Sequence, residues 1–288
     1  MKNKLLNAKK KLRDAGIETF SIDAELIMME TTGFSRVELI TKDDYTLNEE
    51  QELNFNNMLE KRLKSEPMAY ILNRQEFMGL DFYVDENVLI PRTDTEVLVE
   101  ACLEYISNGD KVLDMCTGSG AIAVSLAYFN RNVEIAAVDI SHTALEIAKK
   151  NAKQNGVLDR INFIKSGMFA GLEKSVKMDM IVSNPPYIET EEINKLLPNV
   201  KDYEPTLALD GGIDGLDFYK ILASEGKNFL VENGFVLLEI GYNQKETVTD
   251  IFTKEGYEFL ECRKDLGQLD RVLIFRRFCS SSLDLYRK

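Results

Sequence analysis

Val112-Leu113-Asp114-Met115-Cys116-Thr117-Gly118-Ser119-Gly120-Ala121 is the stretch on which the fold turns. A short apolar run suited to a buried strand meets two glycines, and an apolar stretch of helical length follows. Gly118 and Gly120 leave the turn without side chains, so a ligand can approach the backbone, and the start of the next helix favours anionic groups. Gly118, Gly120 and Ala123 also fit the relaxed dinucleotide fingerprint G-x-G-x-x-G/A. A P-loop is excluded, because no Gly-Lys-Ser/Thr follows. Taken alone, the segment leaves open a tight strand–helix turn that binds nothing.

Outward from this turn the pattern alternates. Strands are predicted at 111–115, 133–138, 161–165, 178–183, 235–240, 257–262 and 271–275. Helices are predicted at 94–107, 120–129, 142–155, 216–232 and 243–255. Strands separated by helices imply crossover units, hence an α/β fold with a mainly parallel sheet and helices on both faces. The last two strands have no helix between them and are expected to form an antiparallel hairpin. Residues 76–90 place Phe77, Leu80, Phe82, Val84, Val88 and Leu89 around Gly79, which predicts a short hairpin or an extended linker.

Two further signals fall at strand ends. Asp139 closes the second strand, where a carboxylate can accept hydrogen bonds from the ribose hydroxyls of an adenosine cofactor. Its other reading is a neighbour of the cap of the helix starting near Ser141. Ser183-Asn184-Pro185-Pro186-Tyr187 ends the fourth strand. The two prolines lack N–H groups and push the residues before them into extended conformations, so carbonyls are free to face a cleft at the sheet edge. A rigid turn with Tyr187 as a core plug is the plainer alternative. His142, the single histidine, is given no role.

The first 66 residues read as helices. Ser21 is expected to cap a helix that stops at Gly33, and Ser35-Arg36-Val37-Glu38 and Thr46-Leu47-Asn48-Glu49 both fit the S/T-x-x-E capping box. Phe55, Leu59 and Leu63 recur at i+4, and Pro67 ends the run. A small amphipathic bundle results. At 288 residues the chain is long enough for two domains, with 44% hydrophobic and 29% charged residues excluding disorder. No apolar run approaches the roughly 18 residues of a membrane span, and none resembles a signal-peptide core. Cys102, Cys116, Cys262 and Cys279 show no C-x-x-C spacing, so neither zinc nor a redox pair is indicated and a cytoplasmic location is expected. The net charge is −13, and residues 1–75 carry only 12 basic and 13 acidic residues, so the excess of acid lies in the rest. Such a region repels phosphate backbones, which lowers the expectation of a nucleic-acid substrate.

The combination of Asp-x-x-Thr-Gly-Ser-Gly-Ala with Asn-Pro-Pro-Tyr resembles class I S-adenosylmethionine-dependent methyltransferases acting on planar nitrogens. Three more stretches narrow the resemblance: Gln75-Glu76-Phe77-Met78-Gly79-Leu80, Ile90-Pro91-Arg92-Thr93-Asp94-Thr95-Glu96, and the run from Tyr203 to Leu216 containing Asp210-Gly211-Gly212-Ile213-Asp214-Gly215. Together they resemble the HemK/PrmC family, the N5-glutamine methyltransferases of peptide chain release factors, over nearly the whole chain. Asn-Pro-Pro-Tyr alone is shared with DNA adenine methyltransferases. Cys116 stands where the family commonly has Gly, Gly167-Met168 where Asp-Trp is common, and Thr93 where Pro is usual.

The resemblance implies a Rossmann-like class I methyltransferase sheet, mainly parallel with the last strand antiparallel, beside a small N-terminal helical bundle. It implies a substrate-recognition domain at 1–75, a hairpin or linker at 76–92, a methyltransferase domain at 93–277 and a tail at 278–288. It implies S-adenosylmethionine as cofactor, with S-adenosylhomocysteine as product and no metal. Cys116, Thr117, Gly118, Ser119 and Gly120 would face its methionine part, Asp139 its ribose and Met168 its adenine. Asn184, Pro185, Pro186 and Tyr187 would hold the target glutamine, with Asn184 also near the cofactor. The implied partner is a class-1 release factor, with no membrane and no direct nucleic-acid substrate. A ribosomal-protein glutamine methyltransferase, a nucleic-acid methyltransferase, a dinucleotide oxidoreductase and a non-catalytic cofactor-binding adaptor are the competing readings.

Overall fold

The computed structural model describes residues 1–278, so most of the tail expected at 278–288 lies outside the described residues. The chain forms two compact units, Met1–Asn73 with Leu197–Tyr203, and Arg74–Leu196 with the chain from Glu204 onward.

The first unit contains α1 (Lys2–Asp14), α2 (Phe20–Thr32), α3 (Arg36–Thr41), α4 (Glu49–Leu63) and the single turn α5 (Met68–Ile71). Its core gathers Leu12, Ala24, Ile27, Met28, Phe55 and Leu59. The Ser35 capping box forms as expected, with the Glu38 amide donating to Ser35 Oγ and the Ser35 amide to Glu38. Two predicted caps are displaced. α2 begins at Phe20 with Thr19 at its N-cap, and Ser21 lies inside the helix. Thr19 donates to Asp23, a buried carboxylate that also receives Arg62 Nε at 2.7 Å, and this contact anchors the first turn. The second box is Asn48 with Gln51, two residues after Thr46. There the Gln51 amide donates to Asn48 Oδ1 at 2.9 Å, and the Asn48 amide donates to Gln51 Oε1 at 3.1 Å.

The second unit opens with the hairpin β1 (Gln75–Phe77) and β2 (Leu80–Phe82), joined by Met78 and Gly79, both at positive φ. Such a turn needs two left-handed residues. Met78 is held there by its amide, which donates to Glu96 at 2.6 Å. Phe77, Leu80 and Phe82 belong to the core, so this stretch is a packed element of the unit, not a linker.

There follow α6 (Thr93–Tyr105), β3 (Lys111–Met115), α7 (Ala121–Phe129), β4 (Glu134–Asp139), α8 (His142–Gln154), β5 (Ile161–Lys165) and β6 (Met178–Ser183). The one-turn α9 (Pro198–Lys201) belongs to the first unit. The chain then forms α10 (Asp217–Gly226), β7 (Leu230–Glu239), α11 (Lys245–Lys254), β8 (Tyr257–Lys264) and β9 (Asp270–Arg277). The sheet has seven strands in the order β5-β4-β3-β6-β7-β9-β8, and only β9 runs against its neighbours. The helix predicted at 216–232 stops at Gly226, because Leu230 is drawn into the sheet opposite Met178.

Both faces of the sheet are covered, as parallel sheets require. Val112, Met180, Val182 and Leu237 face the core shared with α6 and α7, whereas Leu113, Ile181, Val236 and Leu238 face the core shared with α10 and α11. From β3 the chain steps outward through β4 to β5, then returns to place β6 on the other side of β3. Ligands bind at such a switch point, beyond the C-terminal ends of the strands.

Asp114 anchors the turn that leaves β3. It is fully buried, and its Oδ2 accepts from Thr117 Oγ1 at 2.6 Å and from the Ala123 amide at 3.1 Å. Burial pushes its carboxyl up to about 7. Between pH of about 4 and about 7 the folded chain therefore keeps a proton that the unfolded chain releases. The stability that Asp114 contributes is full below this window and is lost as pH rises through it. Asp114→Asn cannot lose a proton, so the Tm of wild type relative to this variant should fall as pH is raised from about 4 to about 7 and level off above. Melting curves with a pH-independent difference would contradict an ionisable Asp114 in this role.

Candidate functional site

A cavity of about 320 Å³ lies at the switch point between β3 and β6. Its lining includes Cys116, Thr117, Gly118, Ser119, Asp139, Met168, Asn184 and Pro186, all singled out by the sequence. Gly120, Pro185 and Tyr187 are not among the lining residues.

The turn after β3 is held on several sides. The Thr117 amide donates to the Val138 carbonyl at 2.9 Å, tying it to β4. The Gly118 amide donates to Asp139 Oδ2 at 2.9 Å, while the Ser141 amide donates to Asp139 Oδ1 at 2.8 Å. Gly118 has φ of +54°, and a Cβ there would meet nothing within 4 Å, so the backbone opens on free space. Gly120 has another purpose. At φ of +80°, its missing Cβ would lie 2.9 Å from Ala148 Cβ, so it permits α7 and α8 to approach. Asn151 of α8 donates to the Ser119 carbonyl at 2.9 Å and fixes the far side.

Asp139 keeps lone pairs beyond the two it gives to amides, because a carboxylate can accept about four hydrogen bonds. Burial holds its pKa above the ordinary range. Cys116 is a non-glycine residue at φ of +64°, and its Sγ lies 3.9 Å from Met168 Sδ. Two of the positions that depart from the family pattern, Cys116 and Met168, thus meet at the cavity wall. Burial and the charges of Asp139 and Asp114 push the Cys116 thiol up, so it is a neutral wall and not a nucleophile.

Asn184 follows β6, and its Nδ2 donates to Thr95 Oγ1 at 3.1 Å. Thr95 in turn donates to Glu239 Oε2 at 2.6 Å, and Tyr187 donates to Glu239 Oε1 at 3.3 Å. Tyr187, expected to hold the target glutamine or to plug the core, packs against the core that α10 and α11 share with the sheet, as do Cys116 and Met168 of the cavity lining. Glu239 is buried, and desolvation pushes its carboxyl up to about 7. Among the described residues nothing donates to Asn184 Oδ1, so the cavity-lining amide has an acceptor to spare.

The run from Glu204 to Leu216 is strapped across Asn-Pro-Pro-Tyr. The Ile188 amide donates to the Leu209 carbonyl at 3.0 Å, and the Gly211 amide donates to the Ile188 carbonyl at 2.8 Å. A Cβ at Gly211 would lie 2.8 Å from Tyr187 Cα, and one at Gly215 only 2.5 Å from the Tyr187 carbonyl oxygen, so both glycines serve close backbone contact. Gln244 donates to that same carbonyl at 3.0 Å. At the near end Glu204, buried, pairs with Arg92, and both Arg92 and the neighbouring Pro205 and Leu207 line the cavity.

Sequence reasoning gave no role to Thr95, Glu239, Arg92 or Glu204. Thr95 and Arg92 sit within a stretch already quoted for its resemblance. Glu239 carries the same mark as Asp114 and Asp139, an acid at the end of an apolar strand. His142 opens α8 and is exposed. Among the described residues no cluster of three or more His, Cys, Asp or Glu is placed to hold a metal ion, and no helix is long and apolar enough to cross a membrane.

Residues 4–72 match the PrmC N-terminal domain, and residues 93–200 match the Methyltransferase small domain. The chain is 40% identical over 277 residues to the release factor glutamine methyltransferase of Clostridium acetobutylicum, spanning 95% of this chain and 97% of that one. It is 40% identical over 279 residues to the protein of the same name from Agrobacterium fabrum, spanning 95% and 96%. A methyltransferase from Pyrococcus furiosus, 21% identical, shares the fold with a TM-score of 0.54 over 70% of this chain and 91% of that one. Matches of this identity over nearly the full length of both chains place the protein in a family: it belongs to the release factor glutamine methyltransferases.

Proposed function

We propose that the chain methylates the side-chain amide nitrogen of the glutamine in the Gly-Gly-Gln loop of class-1 release factors, in the cytoplasm, using S-adenosylmethionine. The observation that carries this reading is one cavity lined at once by the glycine turn, Asp139 and an Asn184 amide with its oxygen to spare. The cofactor suits the residues present: open backbone at Gly118, a carboxylate at Asp139 for ribose hydroxyls, and apolar Met168 and Ile140 for a flat ring. When bound, its sulfonium supplies a methyl already activated for transfer.

The protein's task is then orientation. An amide nitrogen is a poor nucleophile, because its lone pair is delocalised into the carbonyl. Asn184 Oδ1 and the Pro185 carbonyl accept hydrogen bonds from the substrate NH₂ and point its nitrogen at the methyl. Positive charge grows on that nitrogen in the transition state, so these acceptors favour it over the ground state. Correct alignment contributes on the order of 7–11 kcal/mol. Cys116 remains protonated and inert, and the proton leaves the product nitrogen to water.

Mass spectrometry of a release factor incubated with the protein and labelled cofactor should find the label on the Gly-Gly-Gln glutamine. Label on a ribosomal protein instead would reassign the substrate.

Asp139→Ala should weaken cofactor binding by about 1.5–3 kcal/mol, the worth of a hydrogen bond to a charged group. Unchanged calorimetric affinity in a folded variant would remove Asp139 from the site. Asn184→Ala should abolish turnover while keeping most cofactor affinity, and Asn184→Asp should restore little, because its charge must be desolvated. Wild-type turnover in Asn184→Ala would end the amide-clamp reading.

The N-terminal helices are assigned the choice of protein partner, since a Gly-Gly-Gln loop offers few side chains to read and a second contact raises its effective concentration at Asn184. Deleting residues 1–73 should lower kcat/KM sharply on an intact release factor and much less on a short Gly-Gly-Gln peptide. Equal losses on both, in a variant shown to be folded, would assign these helices to supporting the catalytic unit.

A further inference from the structure

We propose that Thr95 and Glu239 form a positioning relay that decides which end of the Asn184 side-chain amide meets the substrate. The proposal rests on the reading that Asn184 receives the substrate amide. An ionised carboxylate can only accept hydrogen bonds. The 2.6 Å contact between Thr95 Oγ1 and Glu239 Oε2 therefore uses the one hydrogen of the threonine hydroxyl. With that hydrogen spent, Thr95 Oγ1 can only accept, and the group it accepts from is Asn184 Nδ2 at 3.1 Å. Every link then runs in one direction, from Asn184 through Thr95 to Glu239, and Oδ1 is the end left for the substrate.

The direction depends on Glu239 carrying no proton toward Thr95. A carboxylic acid, or a glutamine, can donate to Thr95 instead. Thr95 is then free to donate to Oδ1 of a flipped Asn184, and the cavity receives Nδ2, a donor facing the donor NH₂ of the substrate. Glu239 is well placed for this control. Thr95 and Asp94 face it from α6, Tyr187 from the loop after β6, and Arg271 from β9. Tyr219 of α10 donates to its backbone carbonyl at 2.9 Å. Arg271 favours the ionised form and Asp94 opposes it, while Arg271 is itself shared with Asp265 and Asp94. Burial leaves the balance near neutral pH, at about 7.

The test uses Thr95→Val, Thr95→Ser and Glu239→Gln in the full chain. Methyl transfer to an intact release factor is measured at saturating cofactor, and S-adenosylmethionine binding by calorimetry. Thr95→Val should lower kcat by about ten- to a hundredfold, as misplacement of a reacting group does, with the cofactor dissociation constant unchanged. Thr95→Ser, which keeps the hydroxyl, should recover most of it. The wild type should lose kcat as pH drops through about 7, and Glu239→Gln, which mimics the protonated acid, should stay near that lowered kcat with the fall removed. Asp114 is common to both profiles and does not contribute to their difference. Wild-type kcat in Thr95→Val, or a Thr95→Ser as slow as Thr95→Val, would overturn the relay. Absence of transfer by the wild type would overturn the substrate reading alone. The relay is then judged by the crystal structure of Thr95→Val: an Asn184 side chain in its original place refutes it, and a reversed or displaced amide supports it.

Discussion

A chain leaving a parallel strand must find partners for backbone amides that no sheet or helix serves, and in this protein buried carboxylates take that part. Asp114 receives the Thr117 hydroxyl and the Ala123 amide, so one side chain joins the end of β3, the turn and the first turn of α7. Asp139 does the same at β4, receiving Gly118 from the neighbouring turn and Ser141 from its own. The two acids join adjacent strand ends into one rim. An unpaired buried amide costs roughly 1–3 kcal/mol, and a buried charge costs more unless donors surround it. The arrangement is stabilised because Asp139 meets two backbone N–H groups, and Asp114 meets one together with the Thr117 hydroxyl, each a donor that needs an acceptor. The rest of the cavity is built on that rim.

The opposite wall obeys a different constraint. Asn-Pro-Pro-Tyr offers few backbone donors, so it cannot be held by the ladder of hydrogen bonds that fixes a strand. It is held from outside. Gly211 and Gly215 let the returning chain lie against Tyr187 backbone to backbone, and Gln244 takes the Tyr187 carbonyl. Arg92 and Glu204 pin the near end of the same strap. The conformational freedom given up at these glycines is exchanged for a fixed backbone at Tyr187, and in the proposed reaction rigidity is what an orienting Asn184 requires.

Much of this architecture is visible in local pattern. β3, β5 and β6 occupy the predicted residues because each is a short apolar run bounded by polar or turn residues. The glycine turn and Asp139 are legible for the same reason, since strand, turn and helix are contiguous. What escaped is set by contacts distant in the chain. The capping box expected at Thr46 is a local exception, formed instead by Asn48 and Gln51. The helical pattern runs past Gly226, but pairing of Leu230 with Met178 ends it. Thr95 and Glu239 are 144 residues apart, and nothing local to either names the other.

Placement of the charge beside the reacting atoms has its own logic. In the proposed reaction a positive charge moves from sulfur to nitrogen; none is created. A full carboxylate at position 184 would attract the cofactor cation in the ground state as strongly as the developing ammonium, and would gain little in rate. A neutral carboxamide avoids this, but it presents two chemically opposite ends that are nearly equal in shape. A carboxylate two hydrogen bonds away removes that ambiguity while its charge stays among Arg271, Tyr187 and Thr95. In this reading Glu239 acts on the reaction through direction, not through its field, so the neutral Asn184 can be both selective and preorganised.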